Sequence, residues 1–130
     1  MEKANVKGRT IKFRSVKNNC IMVVHSRAAK QYAEYLEWSK DVLSYETLVN
    51  WDESMYTHIN PIYIRKDYLA TKWITDFIVT YKDGTKGVRE LVDNANFYKL
   101  ATIERFELSR RYWKTIGITN WKIVMFEEEE

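Results

Sequence analysis

Two strand-like runs that each carry one acidic residue constrain the fold of this 130-residue chain more than any other feature. The first contains Asp76 and the second contains Glu90. Asp83-Gly84 between them is a strong hairpin signal, so we expect the two runs to be neighbouring strands. A carboxylate in an apolar strand is costly to bury, and two carboxylates brought together repel each other unless a cation or proton is present. The sequence therefore predicts a metal site or a shared proton at Asp76 and Glu90.

Apolar periodicity along the chain predicts an α/β order of elements. Ser26 is a suitable N-cap for the first helix and Gly117 a suitable C-cap for the second. The second helix allows a parallel crossover between the strands that flank it, which predicts a mixed central β-sheet flanked by helices. The predicted strands cover residues 10–16, 20–24, 42–51, 58–65, 73–79, 88–92 and 121–126, and the predicted helices cover residues 27–38 and 95–116.

Length and composition favour a single domain over residues 1–130, with a basic arm at 1–9 and an acidic tail at 127–130 that are loosely ordered. No apolar run is long enough to span a bilayer, and the start of the chain has no hydrophobic signal segment. We therefore expect a cytoplasmic protein without a membrane partner. The single cysteine, Cys20, excludes an internal disulfide.

Several sequence stretches occur in an order that is typical of one nuclease family. They are residues 35–46, 75–79, 103–113 and 117–124. Together they resemble the N-terminal catalytic domain of the TnsA transposon endonucleases, in the PD-(D/E)XK nuclease superfamily, and more distantly the phage head-completion nucleases. The resemblance covers roughly residues 23–125. It implies a restriction-endonuclease-like core.

The resemblance also implies a set of site residues. In that family a helix Glu, a strand Asp, and an acidic or amide residue two before a Lys hold Mg²⁺ and activate water for phosphodiester hydrolysis. Asp76 and Glu90 match two of the four positions, as catalytic residues and metal ligands. Ala29 stands where the family has its helix Glu, and Val92 stands where it has its Lys. Lys99 on the second helix is a candidate for a cation that has migrated into the site.

A basic run on the second helix is the candidate nucleic-acid interface. With a net charge of +3, the chain carries a positive excess that attracts polyanions. The alternative is a solvated helix face whose arginines pair with Glu104 and Glu107 at i+3 or i+4 spacing. The candidate phosphate-binding residues are Arg105, Arg110, Arg111 and Lys114.

The resemblance and its substituted positions lead to three hypotheses of function. The first is a catalytically degenerate TnsA-like protein of a phage or mobile element. It would act by binding DNA, a protein partner such as a transposase or host machinery, or both. The second is an active Mg²⁺-dependent DNA endonuclease with a rearranged site on Asp76 and Glu90. The third is a phage assembly protein.

Overall fold

The structure is a computed structural model that describes residues 9–127. These residues form a four-stranded sheet with a helix on each face and a separate two-stranded hairpin. This confirms the predicted mixed α/β class. The strands are β1 (Ile11–Ser15), β2 (Cys20–Val24), β3 (Val42–Asn50), β4 (Ile74–Tyr81), β5 (Lys86–Asp93) and β6 (Asn120–Phe126). The helices are α1 (Arg27–Trp38) and α2 (Leu100–Ile116), and two short 3-10 helices cover Glu53–His58 and Lys66–Ala70.

The central sheet has the order β3-β4-β5-β6 and is mixed. The predicted hairpin is confirmed, since β4 and β5 pair antiparallel across a turn in which Gly84 has a φ of 90°. Glycine adopts this left-handed backbone conformation without a steric penalty. β5 and β6 pair in parallel, with α2 as the connection between them, as predicted. Parallel neighbours cannot be joined by a tight turn, so the length of α2 is what allows this topology.

Successive β4 side chains pack against different helices. Phe77 and Val79 lie in a core with Leu36 of α1, while Ile78 lies in a second core with Leu108 of α2. This follows from the alternation of side chains along a strand. The sheet is therefore covered on both faces, and β4 is its buried centre.

One predicted strand and the predicted start of one helix are wrong. The strand predicted at residues 58–65 is absent, and this segment is an irregular connection after a 3-10 helix. It contains Pro61, which cannot donate a backbone hydrogen bond, and Tyr63 adopts a left-handed φ of 65°. Ile59 and Ile64 are nevertheless buried, so the apolar pattern reflected packing rather than strand pairing. The long helix begins at Leu100 rather than at residue 95, because the residues before it form turns.

Most of the predicted basic arm at residues 1–9 and acidic tail at 127–130 lies outside the described residues, which include only Arg9 and Glu127 of them. Across residues 9–127, neither helix has the length and apolar character needed to traverse a bilayer.

A partly buried carboxylate joins the β1–β2 hairpin to α1 and β3. Glu37 Oε2 accepts hydrogen bonds from Ser15 Oγ at 2.5 Å and from Tyr45 Oη at 2.6 Å. Burial disfavours the charged form of Glu37, but the hydrogen bonds from Ser15 and Tyr45 outweigh it and lower the Glu37 pKa. The hydroxyl of Ser15 is thus part of the contact that fixes the hairpin.

Replacing that hydroxyl is expected to destabilise the fold. Ser15→Ala removes one donor from a partly buried carboxylate, so we expect the free energy of unfolding to fall by about 1–3 kcal/mol in urea titrations. Ser54→Ala is the matched control, because Ser54 Oγ donates to Asp52 at 2.7 Å on an exposed turn. Equal losses in the two variants would contradict this role for Ser15.

Candidate functional site

β4 and β5 separate at the two predicted carboxylates. Backbone pairing between the strands runs from Thr80 opposite Lys86 to Phe77 opposite Arg89, although both strands continue beyond that point. Side chains bridge the gap in place of backbone pairing. Asp76 Oδ2 accepts a hydrogen bond from the Leu91 amide at 2.8 Å, and Glu90 Oε1 accepts one from the Asp76 amide at 3.2 Å. The structure therefore brings Asp76 and Glu90 together, as the hairpin predicted.

Glu90 is the more deeply buried of the two, with 1% of its surface exposed. Its Oε2 atom accepts hydrogen bonds from Thr75 Oγ1 at 2.9 Å and from Ser109 Oγ at 2.6 Å. Ser109 lies on α2, so the Glu90 carboxylate faces the α2 side of the sheet. Three donors, including the Asp76 amide, thus surround this carboxylate.

Three tryptophans complete the hydrogen bonding of those two hydroxyls. Thr75 Oγ1 accepts from Trp51 Nε1 at 2.7 Å and from Trp113 Nε1 at 2.8 Å. Ser109 Oγ accepts from Trp121 Nε1 at 2.9 Å. An indole N–H can only donate, so each needs an acceptor when it is buried. The hydroxyl protons are then directed at Glu90, which orders the whole network.

Both carboxyl groups ionise less readily than they would in water. Burial, with a smaller contribution from the charge of Asp76, raises the pKa of Glu90 to about 7. Burial also raises the pKa of Asp76, and the Leu91 amide, Arg105 and His25 partly oppose this effect. Asp76 is partly exposed as a residue, but its carboxylate is deeply enclosed. The charge of Asp76 thus opposes the ionisation of Glu90. A metal site or a shared proton at this pair stays a prediction.

Asp76 borders a small cleft on the α1 side of the sheet, with a volume of about 140 Å³. Leu48 lies opposite Asp76 on β3 and has a φ of 53°, a left-handed conformation that is strained for a large side chain. The walls are mostly apolar. The lining residues are Val24, His25, Ser26, Ala29, Leu48, Asp76, Phe77, Leu91 and Phe126.

Ala29 and Val92, which stand where the resemblance leads one to expect Glu and Lys, supply no polar side chain to the site. Ala29 lines the cleft directly, at the first turn of α1 where the family carries a Glu. Val92 is 6% exposed and is paired with Met125 of β6. Lys99, the candidate migrated cation, is an exposed residue at the N-terminus of α2, and its side chain forms no hydrogen bond or ion pair with residues 9–127.

The described residues do not fit a Mg²⁺ site built on both carboxylates. Glu90 Oε2 is already bonded to two hydroxyls and Glu90 Oε1 to an amide, while Asp76 contributes from the opposite side of the sheet. Mg²⁺ requires a nearly octahedral set of oxygen ligands. Among residues 9–127, no three His, Cys, Asp or Glu side chains are grouped so as to hold a metal ion. Metal binding at these positions stays a prediction.

Two of the candidate phosphate-binding arginines already form ion pairs with one acidic residue. Glu107 pairs with Arg110 and with Arg111, each at 2.7 Å, and Arg111 also donates to the carbonyls of Asn60 and Ile62. These pairs have the i+3 and i+4 spacing of the alternative interpretation. The other acidic residue of that interpretation, Glu104, instead pairs with Arg65, at 2.8 Å.

The other two candidate phosphate-binding residues, Arg105 and Lys114, differ in their surroundings. Arg105 is half-buried, with its guanidinium 4.4 Å from the ring centroid of Phe106. Its charge lowers the pKa of both Asp76 and Glu90. Lys114 is exposed near the end of the helix. Of the four basic residues, Arg105 is therefore the one that acts electrostatically on the carboxyl pair.

The sequence analysis missed Thr75 and Ser109, which hold Glu90 in place. Ser109 follows Phe106 by three positions and precedes Trp113 by four, so a polar residue occupies the apolar stripe of α2. Such a position requires a buried hydrogen-bond partner. This signal points to Ser109, although the sequence does not indicate its partner.

The chain matches no protein-family model, and no curated protein matches it significantly.

Proposed function

We propose that this chain is a TnsA-like, restriction-endonuclease-fold protein of a phage or mobile element that no longer cleaves DNA and acts by binding a protein partner. The support for the fold is the order of elements: a helix, an Asp-bearing strand, a Glu-bearing strand, a crossover helix and a parallel final strand. The support for the function comes from the cleft and from the exposed surface.

The loss of cleavage is supported chiefly by the state of Glu90. Hydrolysis assisted by Mg²⁺ needs ligands that are free to bind the metal and a cation that stabilises charge on the phosphate. The Glu90 carboxylate is instead occupied by Thr75 and Ser109. Ala29 and Val92 provide neither a ligand nor a positive charge. One available carboxylate, at Asp76, is too little for the metal-assisted chemistry that the resemblance implies.

A protein partner is favoured over DNA by the surface. Arg110 and Arg111 of α2 are paired with Glu107, which reduces the charge that they offer to phosphates. By contrast, Trp38 and Val16 are 87% and 82% exposed and border the same groove between α1 and the hairpin. Large exposed apolar side chains grouped together are typical of protein–protein contact surfaces.

A plasmid-nicking assay with Mg²⁺ or Mn²⁺ tests the loss of cleavage. We expect no nicking by the wild-type protein, and the same result for Asp76→Asn. Asn keeps the size of the side chain and an oxygen that can accept the Leu91 amide hydrogen bond. Metal-dependent nicking by the wild type that disappears in Asp76→Asn would overturn the proposal and favour the rearranged endonuclease.

Fluorescence anisotropy with a short DNA duplex tests the choice of partner. We expect only weak binding, with a Kd of about 10⁻⁵ M or weaker near physiological salt and a steep loss as salt rises. A Kd near 10⁻⁸ M under those conditions would be typical of a specific DNA-binding protein. Such a result would replace the protein partner with DNA as the proposed ligand.

A further inference from the structure

We propose that the Asp76 cleft binds an arginine side chain of the partner protein, with the guanidinium paired to the Asp76 carboxylate and the aliphatic stem against the apolar walls. This inference rests on the proposed function and deepens it, because it names the group through which the partner is recognised. It is supported by the hydrogen bonding of Asp76, the lining of the cleft and its size.

Asp76 has one carboxylate oxygen left to pair. Oδ2 accepts the Leu91 amide hydrogen bond, and Oδ1 accepts none from any residue between 9 and 127. Asp76 also forms no ion pair within that part of the chain. An enclosed carboxylate without a cationic partner is unfavourable, so a bound cation that also donates hydrogen bonds relieves a cost already present in the fold.

The walls select a cation with an apolar stem rather than a bare ion. Six of the nine lining residues have apolar side chains, and Ser26 Oγ is already engaged by the Ala29 amide at 3.0 Å. A metal ion would find one carboxylate and few further oxygens. Arginine carries a planar, weakly hydrated guanidinium on a three-carbon stem, which matches both the carboxylate and the apolar lining.

The size of the cleft limits the occupant to a single side chain. Its volume of about 140 Å³ is close to that of a buried cavity that accepts benzene. It is far below the range of about 300–1,000 Å³ that is typical of sites for drug-sized ligands. One side chain of a docked protein fits this volume, whereas a nucleotide or a cofactor does not.

Two basic residues of the chain itself lie near Asp76. His25 lines the cleft, with Nδ1 3.1 Å from the Arg9 carbonyl oxygen, and Arg105 acts from α2. Both favour the charged form of Asp76, but burial has the larger effect and raises the Asp76 pKa. Neither residue forms an ion pair with Asp76, so a guanidinium that enters the cleft can pair with the free Oδ1 atom and favour the charged form of the carboxylate.

The test is an NMR titration of the full chain with n-butylguanidinium, which mimics an arginine side chain. We expect saturable shifts at Ala29, Leu91 and Phe126, with a Kd of about 1–10 mM for so small a ligand. Neutral n-butylurea, of nearly the same shape, should bind at least about tenfold more weakly, because the charged pair contributes most of the affinity.

Three variants locate the site. Asp76→Asn should weaken n-butylguanidinium binding about tenfold or more, and Ala29→Leu should block it by filling the cleft without changing charge. Glu46→Gln removes an exposed carboxylate from β3 and should leave binding unchanged. Unaltered amide spectra away from the cleft would show that each variant is folded.

Several outcomes would overturn the inference. They are the absence of saturable shifts, equal binding by Asp76→Asn, equal binding of n-butylurea, and displacement of n-butylguanidinium by millimolar Mg²⁺ at the same residues. The last would assign the cleft to a metal ion. None of the first three bears on nicking or on DNA affinity, so this inference and the proposed function can fail separately.

Discussion

Thr75→Val is expected to destabilise the protein by about 4 kcal/mol, although the two side chains have nearly the same shape. The Thr75 hydroxyl accepts from the indoles of Trp51 and Trp113 and donates to Glu90. Valine leaves two buried N–H groups without an acceptor and removes one donor from a buried carboxylate. Each unsatisfied buried group costs about 1–3 kcal/mol. Urea unfolding, followed by tryptophan fluorescence and by circular dichroism, measures the loss.

The control for this change is Thr119→Val, at an exposed position just before β6. We expect its free energy of unfolding to stay within about 0.5 kcal/mol of the wild-type value. A loss of less than about 1 kcal/mol for Thr75→Val would mean that water or a rearranged side chain satisfies the indoles. In that case Glu90 is not held rigidly, and its carboxylate is available to a metal ion.

The order of elements could be predicted from the sequence because local signals specify it. Ser26 accepts the amide hydrogen bond of Ala29 at the start of α1, and Gly117 adopts the left-handed conformation that ends α2. The Asp83-Gly84 turn fixes the pairing of β4 with β5. Each signal depends on a few adjacent residues, so no tertiary information is needed to interpret it.

The segment from residue 58 to residue 65 could not be predicted in this way. Its buried isoleucines pack against the core that contains α2, which produces an apolar pattern without strand pairing. Burial and secondary structure are separate constraints, and a short apolar run does not distinguish them. The start of α2 could not be predicted from the apolar pattern either. Asn96 donates a hydrogen bond to Asp93 in the turns before Leu100 and does not begin the helix.

The candidate site was predictable only as a pair of carboxylates. The hairpin register brings Asp76 and Glu90 together, but it does not show that their side chains reach opposite sides of the sheet. Asp76 borders the cleft that α1 lines, whereas Glu90 is bonded to Ser109 of α2. Trp51 follows β3, Trp113 lies on α2 and Trp121 on β6, and only the folded chain brings their N–H groups to Thr75 and Ser109.

The buried carboxyl pair should also make stability depend on pH in an unusual direction. Burial raises the pKa of Glu90 from its ordinary value of 4.5 to about 7, so the folded state holds a proton that the unfolded state releases. Stability is then greatest below the unfolded value and falls as the pH rises through the folded one. We expect the free energy of unfolding to decrease by about 3 kcal/mol between about pH 5 and about pH 8.

Glu90→Gln should reduce this slope, because an amide does not titrate, and Asp76, whose pKa burial also raises, should contribute what remains. Glu46→Gln, at an exposed position, should keep it. Carboxylates with lowered pKa values, such as Glu104 and Glu107, act in the opposite sense, because their stabilisation is lost as the pH falls through their folded values. The wild-type protein should therefore be most stable near pH 5. A slope that is unchanged in Glu90→Gln would place the titrating group elsewhere, whereas a reduced slope would show that the Glu90 carboxyl takes up a proton within the tryptophan network.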